Sequence, residues 1–462
     1  MHRDTQTIAA IASPVGTGGV GIVRISGPQA KAVLSRIFLP LSSRFVSFKP
    51  WTLHRGRVLD IDAQVLDEVL AVFMPGPRSF TGEDVAEIHC HGGLALLAAL
   101  LESICAFDVR LAEAGEFSKR AFLNGRMDLA QAEAVAELIA APGKEAVLLS
   151  AAKLDGLLSR KVDELRARLE ALRMELCVAI DFPEEEHECL GPELFVQQVD
   201  GLISTVTEVL AGRQRNRCWH EGALIVLAGG VNVGKSSLMN ALLGRERALV
   251  TPQAGTTRDF IEEKLLLGKL PVRLVDTAGL RESRDELEQL GMAASRRCIE
   301  EADLVLLLID SQKGLDDADL AFAASLPAEK LVLIWNKSDL AKPARLVPPN
   351  CGPFAGALLL SAKFGHGLDQ LTECINTLVL HNARQSDSPA TDSLSPNLRQ
   401  AQALSAALGE LELCKQDVLS GQPYDLCGLR LDSAGAHLAQ ITGLDSSEEL
   451  LNRVFSSFCI GK

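Results

Sequence analysis

The most informative residues are a glycine-rich loop followed by three short polar motifs in a fixed order. Residues 229–236 read G-G-V-N-V-G-K-S, which fits the pattern G-x-x-x-x-G-K-S of a phosphate-binding loop. Its glycines let backbone N–H groups approach phosphates, Lys235 can reach the β- and γ-phosphates, and the Ser236 hydroxyl can bind Mg²⁺. The later motifs are Asp276-Thr277-Ala278-Gly279, Asn336-Lys337-Ser338-Asp339 and Ser361-Ala362-Lys363.

The Asn-Lys-x-Asp motif predicts that the base of the nucleotide is guanine. The Asp339 carboxylate can accept hydrogen bonds from N1–H and from the exocyclic N2 of guanine. Adenine has a lone pair at N1 and no amine at C2, so it would leave this acceptor unpaired. In the same pattern, Asp276 would hold Mg²⁺ through its water shell, and the Gly279 N–H would contact the γ-phosphate. The four motifs therefore predict a GTP-binding domain rather than an ATPase.

Two parts of a hydrolytic site remain open from the residues alone. Leu280 stands where many GTPases have a glutamine that orients the attacking water. Positive charge for the transition state could come from Arg258, from Arg281 or from a monovalent cation near Asn232. Four carboxylates in the next segment could position water instead: Glu282, Asp285, Glu286 and Glu288.

Short apolar runs precede each motif and must position it. Strands are predicted at residues 224–228, 272–275, 304–309, 331–335 and 358–360, and a helix is predicted at 237–243. Apolar strands that alternate with helices indicate a parallel sheet covered on both faces. Ligands of such sheets lie beyond the carboxyl ends of the strands, where all four motifs fall.

Composition limits the remaining possibilities. A chain of 462 residues is too long for one core, so about three domains are expected. Aliphatic runs such as 304–309 are too short to span a bilayer, and no signal peptide is expected because the N-terminus lacks an apolar segment. Eleven cysteines without a C-x-x-C pair predict free thiols in a reducing cytoplasm. The net charge of −14 argues against extensive coating of nucleic acid. Arg213, Arg215 and Arg217 could form a local basic patch, but a solvated helix end is the favoured interpretation of this cluster.

Helical patterns flank the GTP-binding segment on both sides. Residues 145–180 lack proline and predict one helix of about 50 Å. Residues 385–396 are polar and proline-marked and predict a linker, followed by helical patterns at 397–419 and 446–458. The sequence thus predicts a helical domain interrupted by a GTP-binding domain. In the N-terminal region, His89, Cys90 and His91 alternate on a strand, which favours a structural role over a metal site.

The sequence closely resembles the bacterial tRNA-modifying GTPases of the MnmE (TrmE) family over essentially its whole length. The resemblance is carried by segments that include residues 18–27, 79–84, 115–125, 129–134, 181–185, 255–259 and the C-terminal Phe458-Cys459-Ile460-Gly461-Lys462. A prenylation box is excluded for this C-terminus because Gly461 is not aliphatic and Lys462 is not an accepted last residue.

The resemblance implies a multidomain α/β plus all-α fold. Residues 1–124 would form an N-terminal α/β domain for folate binding and dimerisation, and 218–382 a P-loop GTPase domain with a doubly wound sheet. The helical domain would combine 125–217 with 383–462. The implied site for 5-formyltetrahydrofolate, or a related one-carbon folate, consists of Arg24, Glu87, Arg126 and Lys462. Arg126 stands where relatives often have lysine, and Cys459 would be catalytic.

The resemblance also implies a K⁺-activated mechanism of GTP hydrolysis. Lys235 would be catalytic, and Glu288 would be the carboxylate that orients water. Mg²⁺ would be bound by Ser236 and Thr257. K⁺ would be bound by Asn232, Thr251, Gln253 and Thr256. The GTP-binding residues implied by motif position are Asn232, Val233, Gly234, Lys235, Ser236, Ser237, Thr251, Thr256, Thr257, Asp276, Thr277, Ala278, Gly279, Asn336, Lys337, Asp339, Ser361, Ala362 and Lys363.

The implied function is modification of the wobble uridine of tRNA. A homodimer would act with the flavin-dependent partner MnmG, as a heterotetramer, to install an aminomethyl-type group at C5. GTP hydrolysis would drive dimerisation of the GTPase domains and a conformational change. The alternative is an assembly GTPase, for example one acting on ribosomal RNA, without modification chemistry. The folate-type N-terminal domain and the C-terminal cysteine motif favour the first hypothesis.

Overall fold

The computed structural model describes residues 6–14, 16–181, 191–245, 262–276, 297–340, 354–383 and 394–462. Its contacts divide the chain into two compact units. The first unit comprises residues 1–136, 154–190 and 421–462, and the second comprises 137–153 and 191–420. Mixed sheets and many helices confirm the predicted multidomain α/β plus all-α fold class. The domain boundaries given above stay a prediction.

The first unit contains a seven-stranded mixed sheet with the strand order β3-β4-β5-β6-β2-β1-β7. β1 and β7 are parallel, and the other neighbouring pairs are antiparallel. One face is covered by two helices, α1 (Ala30–Ile37) and α2 (Leu94–Cys105), which contribute to one hydrophobic core. The strands are β1 (Ile8–Ile11), β2 (Gly18–Ser26), β3 (Phe38–Pro40), β4 (His54–Leu59), β5 (Val65–Met74), β6 (Val85–Gly92) and β7 (Arg110–Leu111).

Successive side chains of β6 point to opposite faces of this sheet. Ala86, Ile88 and Cys90 are buried in the core beneath the helices. Glu87 and His89 therefore lie on the opposite face, where both are partly exposed. This face carries the ionisable residues of the candidate N-terminal site described below.

Helices form the rest of the first unit and the connection out of it. They are α3 (Glu116–Leu123), α4 (Leu129–Ala140), α5 (Lys144–Leu154), α6 (Leu157–Asp181), α12 (Tyr424–Thr442) and α13 (Glu448–Phe455), with α4 and α5 crossing the division between units. The prediction of one continuous helix over 145–180 is wrong. Gly156 adopts φ +82°, a left-handed conformation that ends helices, and Arg160 donates to the Asp155 carbonyl at 2.7 Å.

The second unit contains a six-stranded sheet with the strand order β13-β12-β11-β8-β10-β9. Its strands are β8 (Ala223–Gly229), β9 (Glu262–Leu267), β10 (Leu270–Asp276), β11 (Leu304–Asp310), β12 (Leu331–Asn336) and β13 (Gly356–Leu359). Its helices are α7 (Pro192–Glu221), α8 (Lys235–Arg245), α9 (Asp317–Ala324), α10 (Leu368–Ala383) and α11 (Leu398–Leu419).

The predicted GTP-domain strands are present, and five of the six strands run parallel. At one edge the sheet has a sixth strand that the sequence analysis did not predict, β9, which pairs antiparallel with β10 across a short turn. Successive side chains of β8 are buried in two separate hydrophobic cores, Leu224 in one and Ile225 in the other. Both faces of the sheet are therefore covered, which explains the nearly continuous apolar strands.

Across the described ranges, none of the helices combines the length and apolar character needed to cross a membrane.

Candidate functional site

The phosphate-loop motif lies between the end of β8 and the start of α8. Asn232 and Gly234 adopt φ values of +61° and +99°, so the backbone turns sharply before the helix begins. Lys235 is 7% exposed, and its Nζ donates to the carbonyls of Gly229 at 2.9 Å and Gly230 at 2.8 Å. Ser236 and Ser237 follow in the first turn of α8, whose N–H groups favour an anion at this end.

Asn336 connects the phosphate loop to the motif after β13. Its Nδ2 donates to the Val233 carbonyl at 2.8 Å, and its Oδ1 accepts from the Ala362 N–H at 3.0 Å. Asn336 is 2% exposed, so both hydrogen bonds are shielded from water. A Cβ at Gly234 would lie 2.3 Å from Asn336 Nδ2, which explains why this loop position requires glycine. One side chain thus sets the separation of two motifs.

Asp339 is held by the motif that follows β13. Its Oδ1 accepts a hydrogen bond from Ser361 Oγ at 2.5 Å, and the neighbouring Ser338 N–H donates to the Leu360 carbonyl at 3.1 Å. Ser361 is fully buried, whereas the Lys363 ammonium lies 5.3 Å from the Phe364 ring centroid. These bonds fix the carboxylate that would recognise guanine.

Ser236 and Asp276 form a pair of oxygen groups beside the phosphate loop. Ser236 Oγ donates to Asp276 Oδ2 at 3.0 Å, and Asp276, the last residue of β10, is 5% exposed. A hydroxyl and a carboxylate at this separation suit Mg²⁺, which prefers oxygen ligands and retains waters. The two motifs were far apart in sequence, and the parallel pairing of β8 with β10 brings them together.

Several predicted residues lie outside the described residues. They are Thr251, Gln253, Thr256, Thr257, Thr277, Ala278, Gly279 and Glu288, together with the alternatives Arg258, Arg281, Glu282, Asp285 and Glu286. The described part of the predicted GTP set therefore consists of residues 232–237, Asp276, the motif that begins at the end of β12 and the motif after β13.

A second candidate site lies on the open face of the N-terminal sheet, around Arg24. Arg24 Nε donates to Glu87 Oε1 at 2.7 Å. The guanidinium also lies over two rings, 5.2 Å from the Phe80 centroid and 5.7 Å from that of Phe117. Within the described part of the chain, Arg24 Nη1 is buried and has no hydrogen-bond partner. An unsatisfied buried donor of this kind fits a ligand that supplies an acceptor.

Burial, hydrogen bonds and charges around Arg24 shift the pKa of two neighbouring groups. Burial opposes ionisation of Glu87, but hydrogen bonds and charge from His89 and Arg24 outweigh it and lower the pKa of this carboxyl. Burial is the main cause that lowers the pKa of Lys462, and the positive charge of Arg24 acts in the same direction. Arg24, Glu87 and Lys462 are therefore close enough to interact electrostatically.

The C-terminal segment reaches this site by packing on the N-terminal domain. Ile460 forms a β-bridge with Ala114, and the Gly115 N–H donates to the Cys459 carbonyl at 3.4 Å. Gly461 has φ +93°, and a Cβ there would lie 2.3 Å from the Ile11 carbonyl oxygen. Glycine is thus required for the close approach that places Lys462 near Arg24. The Cys459 residue is exposed.

Arg126, the fourth predicted folate residue, has a different partner. Its Nε donates to the Ser79 carbonyl at 3.0 Å. Among the residues that the structure describes, it forms no ion pair with Glu87. The rings of Phe80 and Phe117 are not among the predicted site residues, although both belong to segments that carry the family resemblance, 79–84 and 115–125.

The predicted basic cluster and the two histidines have structural partners. Arg213 pairs with Glu221 at 2.7 Å, and Arg217 pairs with Asp303. His91 contacts Asp67 at 2.8 Å. In the described ranges no group of three or more His, Cys, Asp or Glu could hold a metal ion.

Comparisons with known families cover nearly the whole chain. The model described as "GTP-binding protein TrmE N-terminus" matches residues 7–126. The model described as "MnmE helical domain" matches residues 129–459.

Full-length relatives are named "tRNA modification GTPase MnmE". The protein from Nitratidesulfovibrio vulgaris strain DP4 is 54% identical over 462 residues, covering 100% of both chains. The protein from Lawsonia intracellularis is 47% identical over 459 residues, covering 99% of each. A solved structure of Aquifex aeolicus Era bound to GDP.AlF4- is 24% identical with a TM-score of 0.28, covering 41% of this chain and 67% of the other. The G domain of T. maritima FeoB is 24% identical with a TM-score of 0.25, covering 34% and 98%.

Proposed function

This chain belongs to the MnmE family of tRNA modification GTPases, and we propose that it is a K⁺-activated GTP hydrolase that modifies the tRNA wobble uridine. It would act with a flavin-dependent partner, MnmG, to add a carboxymethylaminomethyl-type group at C5. The reaction class, hydrolysis of GTP to GDP and phosphate, follows from the family. The metal, folate and partner assignments are the proposed parts.

The observation that carries the proposal is the hydrogen-bonded connection between the phosphate and guanine motifs. Asn336 bonds both Val233 in the phosphate loop and Ala362 after β13. Ser361 donates to the Asp339 carboxylate, whose proposed role is to accept from guanine N1–H and N2. A nucleotide that spans these groups would find its base acceptor and its phosphate donors already positioned, which lowers the entropic cost of binding.

Five described residues have proposed roles in the hydrolytic reaction. Lys235 would neutralise charge on the β- and γ-phosphates, and Ser236 would bind Mg²⁺ with Asp276 acting through a water. Asn232, at a left-handed φ of +61°, would supply an oxygen ligand to K⁺. Bound Mg²⁺ and K⁺ would supply the positive charge that stabilises the transition state. Gly234 permits the tight turn.

The remaining hydrolytic roles fall on residues outside the described ranges. Thr257 is the second proposed Mg²⁺ ligand, and Glu288 is the proposed residue that orients water. Thr251, Gln253 and Thr256 are proposed to complete the K⁺ site. These assignments rest on motif position in the family.

A one-carbon folate is the proposed ligand of the Arg24 site. The buried, unpartnered Nη1 of Arg24 fits an acceptor atom of a ligand, and the Phe80 and Phe117 rings offer apolar contact. Glu87 would accept from ring N–H groups, because its lowered pKa keeps it ionised at neutral pH. Lys462 and Arg126 are proposed to complete the site, and Cys459 is proposed to be catalytic.

The proposed assembly is a homodimer that joins MnmG in a heterotetramer and acts on tRNA. Dimerisation of the GTPase domains on GTP hydrolysis would transmit a conformational change to the modification site. The described cysteines are all free thiols, which supports the proposal of a reducing cytoplasm.

The guanine assignment can be tested by Asp339→Asn, with fluorescent GTP and xanthosine triphosphate as ligands. The introduced amide should weaken GTP binding by roughly 100-fold, because its NH₂ group would face the donor N2 of guanine. It should favour xanthosine triphosphate, because xanthine has an accepting carbonyl at this position. Asp369→Asn, at an exposed carboxylate that pairs with Arg245 in the same unit, is the control and should bind GTP normally. Unchanged GTP affinity in Asp339→Asn would remove the guanine assignment.

The role of K⁺ can be tested by GTP hydrolysis in KCl and NaCl at equal ionic strength. Strong stimulation by K⁺, lost in Asn232→Ala, is the expected result. Equal rates in both salts would reject the K⁺ site. Arg258 or Arg281 would then be the candidate source of the positive charge that stabilises the transition state.

A further inference from the structure

The last residue of β11, Asp310, and the two residues that follow it contact the guanine-motif loop, which follows the neighbouring strand β12. Lys337 Nζ donates to Asp310 Oδ2 at 2.8 Å. The Ser311 N–H donates to the Asn336 carbonyl at 3.0 Å, and the Ser311 hydroxyl donates to the same oxygen. Gln312 Nε2 donates to the Leu340 carbonyl at 3.1 Å. We call residues 310–312 the β11 brace.

Two of the three brace residues are buried, and the third, Gln312, is exposed. Asp310 is 6% exposed and Ser311 is 1% exposed. Burial opposes ionisation of Asp310, but hydrogen bonds from Lys337 and from the Gln312 N–H outweigh it and lower the pKa of the carboxyl. At neutral pH, Asp310 and Lys337 therefore form a charge-assisted hydrogen bond that is partly shielded from water.

The backbone that the brace contacts adopts an unfavourable conformation. Lys337 has φ +59°, which is uncommon for a residue with a side chain and costs of order 1 kcal/mol. Such a conformation persists only when its surroundings hold it. Lys337 lies between Asn336, which joins the phosphate loop, and Asp339, the proposed guanine acceptor. The direction of Asp339 therefore depends on how Lys337 is held.

We propose that Asp310 is a positioning residue for guanine-nucleotide binding, which acts by holding Lys337 and the Asn336–Asp339 loop. The proposal rests on the proposed GTP site. It adds to that site a supporting residue at the end of β11, the strand next to β12, which carries the guanine motif. Asp310 does not touch the nucleotide in this account. Ser311 supports the same loop through the Asn336 carbonyl.

The chain offers a matched control at the other end of β11. Asp303, directly before β11, pairs with Arg217 and accepts from the Leu224 N–H at 2.8 Å. Like Asp310, it is an aspartate with one cationic partner and one backbone donor. It lies at the amino end of the strand, away from the loop, so its loss should affect folding without affecting nucleotide binding.

The test compares Asp310→Asn with Asp303→Asn in the full-length protein. Dissociation constants for fluorescent GTP, GDP and ATP, kcat and KM for GTP hydrolysis, and melting temperature would be measured. Asp310→Asn should weaken GTP and GDP binding roughly tenfold and raise KM while leaving kcat little changed, because it removes uniform binding. Asp303→Asn should lower the melting temperature but leave both dissociation constants unchanged.

A double-mutant cycle with Lys337→Ala distinguishes positioning from general destabilisation. If Asp310 acts through Lys337, Asp310→Asn should add little further loss of GTP affinity in the Lys337→Ala background. Full additivity would overturn the proposal. So would wild-type affinity in a folded Asp310→Asn variant, or an equal loss of affinity in Asp303→Asn.

Two further results keep the proposals separate. If Asp310→Asn does not fold, Ser311→Ala provides the test, with an expected loss of GTP affinity of roughly threefold and rejection if affinity is unchanged. If the wild-type protein does not prefer GTP over ATP, both the proposed function and the proposed role of Asp310 are rejected. If wild type prefers GTP and Asp310→Asn binds it equally well, only the brace is rejected.

Discussion

Replacing Gly234 with alanine tests the connection between the phosphate loop and the guanine motif. The new Cβ would lie 2.3 Å from Asn336 Nδ2, far inside van der Waals contact. Gly234 also has φ +99°, a backbone conformation that residues with a side chain rarely adopt. Asn336 is buried and donates to Val233, so it cannot move aside without losing that hydrogen bond.

The expected cost follows from these two effects. The backbone conformation contributes about 1–2 kcal/mol, and an unsatisfied buried amide contributes about 1–3 kcal/mol. The sum, roughly 2–5 kcal/mol, would be divided between stability and binding. If the loop keeps its conformation, the free energy of unfolding falls. If the loop relaxes, GTP binding weakens instead, by about thirtyfold for each 2 kcal/mol.

Gly230→Ala provides the control within the same loop. A Cβ at Gly230 would meet only Val233 Cγ1 at 3.7 Å, an ordinary contact. Thermal unfolding and titration with a fluorescent guanine nucleotide would be measured for both variants. Gly230→Ala should resemble wild type, whereas Gly234→Ala should lose stability, affinity or both. A Gly234→Ala protein equal to the control in both measurements would refute the proposed role of the Asn336 contact.

Three other substitutions have defined expected results. Burial alone would raise the pKa of Glu116, but hydrogen bonds, chiefly those from Arg110, outweigh it and lower this pKa below 4.5. The ionised carboxylate therefore stabilises the fold above that pH. Glu116→Gln should therefore lower stability by about 2 kcal/mol at pH 7, with the difference shrinking as pH falls below 4.5; a pH-independent difference in melting temperature would contradict this. Gly461→Ala should clash with the Ile11 carbonyl, displace the C-terminus and weaken folate binding roughly tenfold in calorimetry, and unchanged affinity would argue against the tail's part in the site. Glu288→Ala should leave GTP binding intact and slow hydrolysis by roughly 100-fold, whereas normal turnover would return the role to another carboxylate.

The GTPase fold was predictable because its signals are local and its strands are buried on both faces. Continuous apolar runs such as 224–228 and 331–335 are readily identified as buried strands because a polar motif follows each of them directly. The antiparallel edge strand β9 was less visible, because half of Glu262–Leu267 is polar and only the two residues 268 and 269 form the turn to β10. The helix break at Gly156 was missed because a single glycine is tolerated inside a helical pattern, and only its left-handed φ ends the helix here.

Contacts between distant residues could not be predicted from their spacing. Asp310 ends an apolar strand and was visible as a polar residue, but its bond to Lys337 depends on the pairing of β11 with β12. The Arg24 site likewise needs the sheet register that places Arg24 opposite Glu87 and the packing that brings Lys462 beside them. Its residues were identified by resemblance to the family, and the physical reason for their grouping emerged only from the fold.

The most direct test of the central claim is the modification state of tRNA in a bacterium that lacks its own member of this family. The chain would be expressed there, and the wobble uridine would be analysed by mass spectrometry of purified tRNA nucleosides. We predict that the wild-type chain restores the C5-modified uridine and that Asp339→Asn does not. Unmodified uridine in cells that contain folded, GTP-hydrolysing wild-type protein would contradict the account and favour an assembly GTPase.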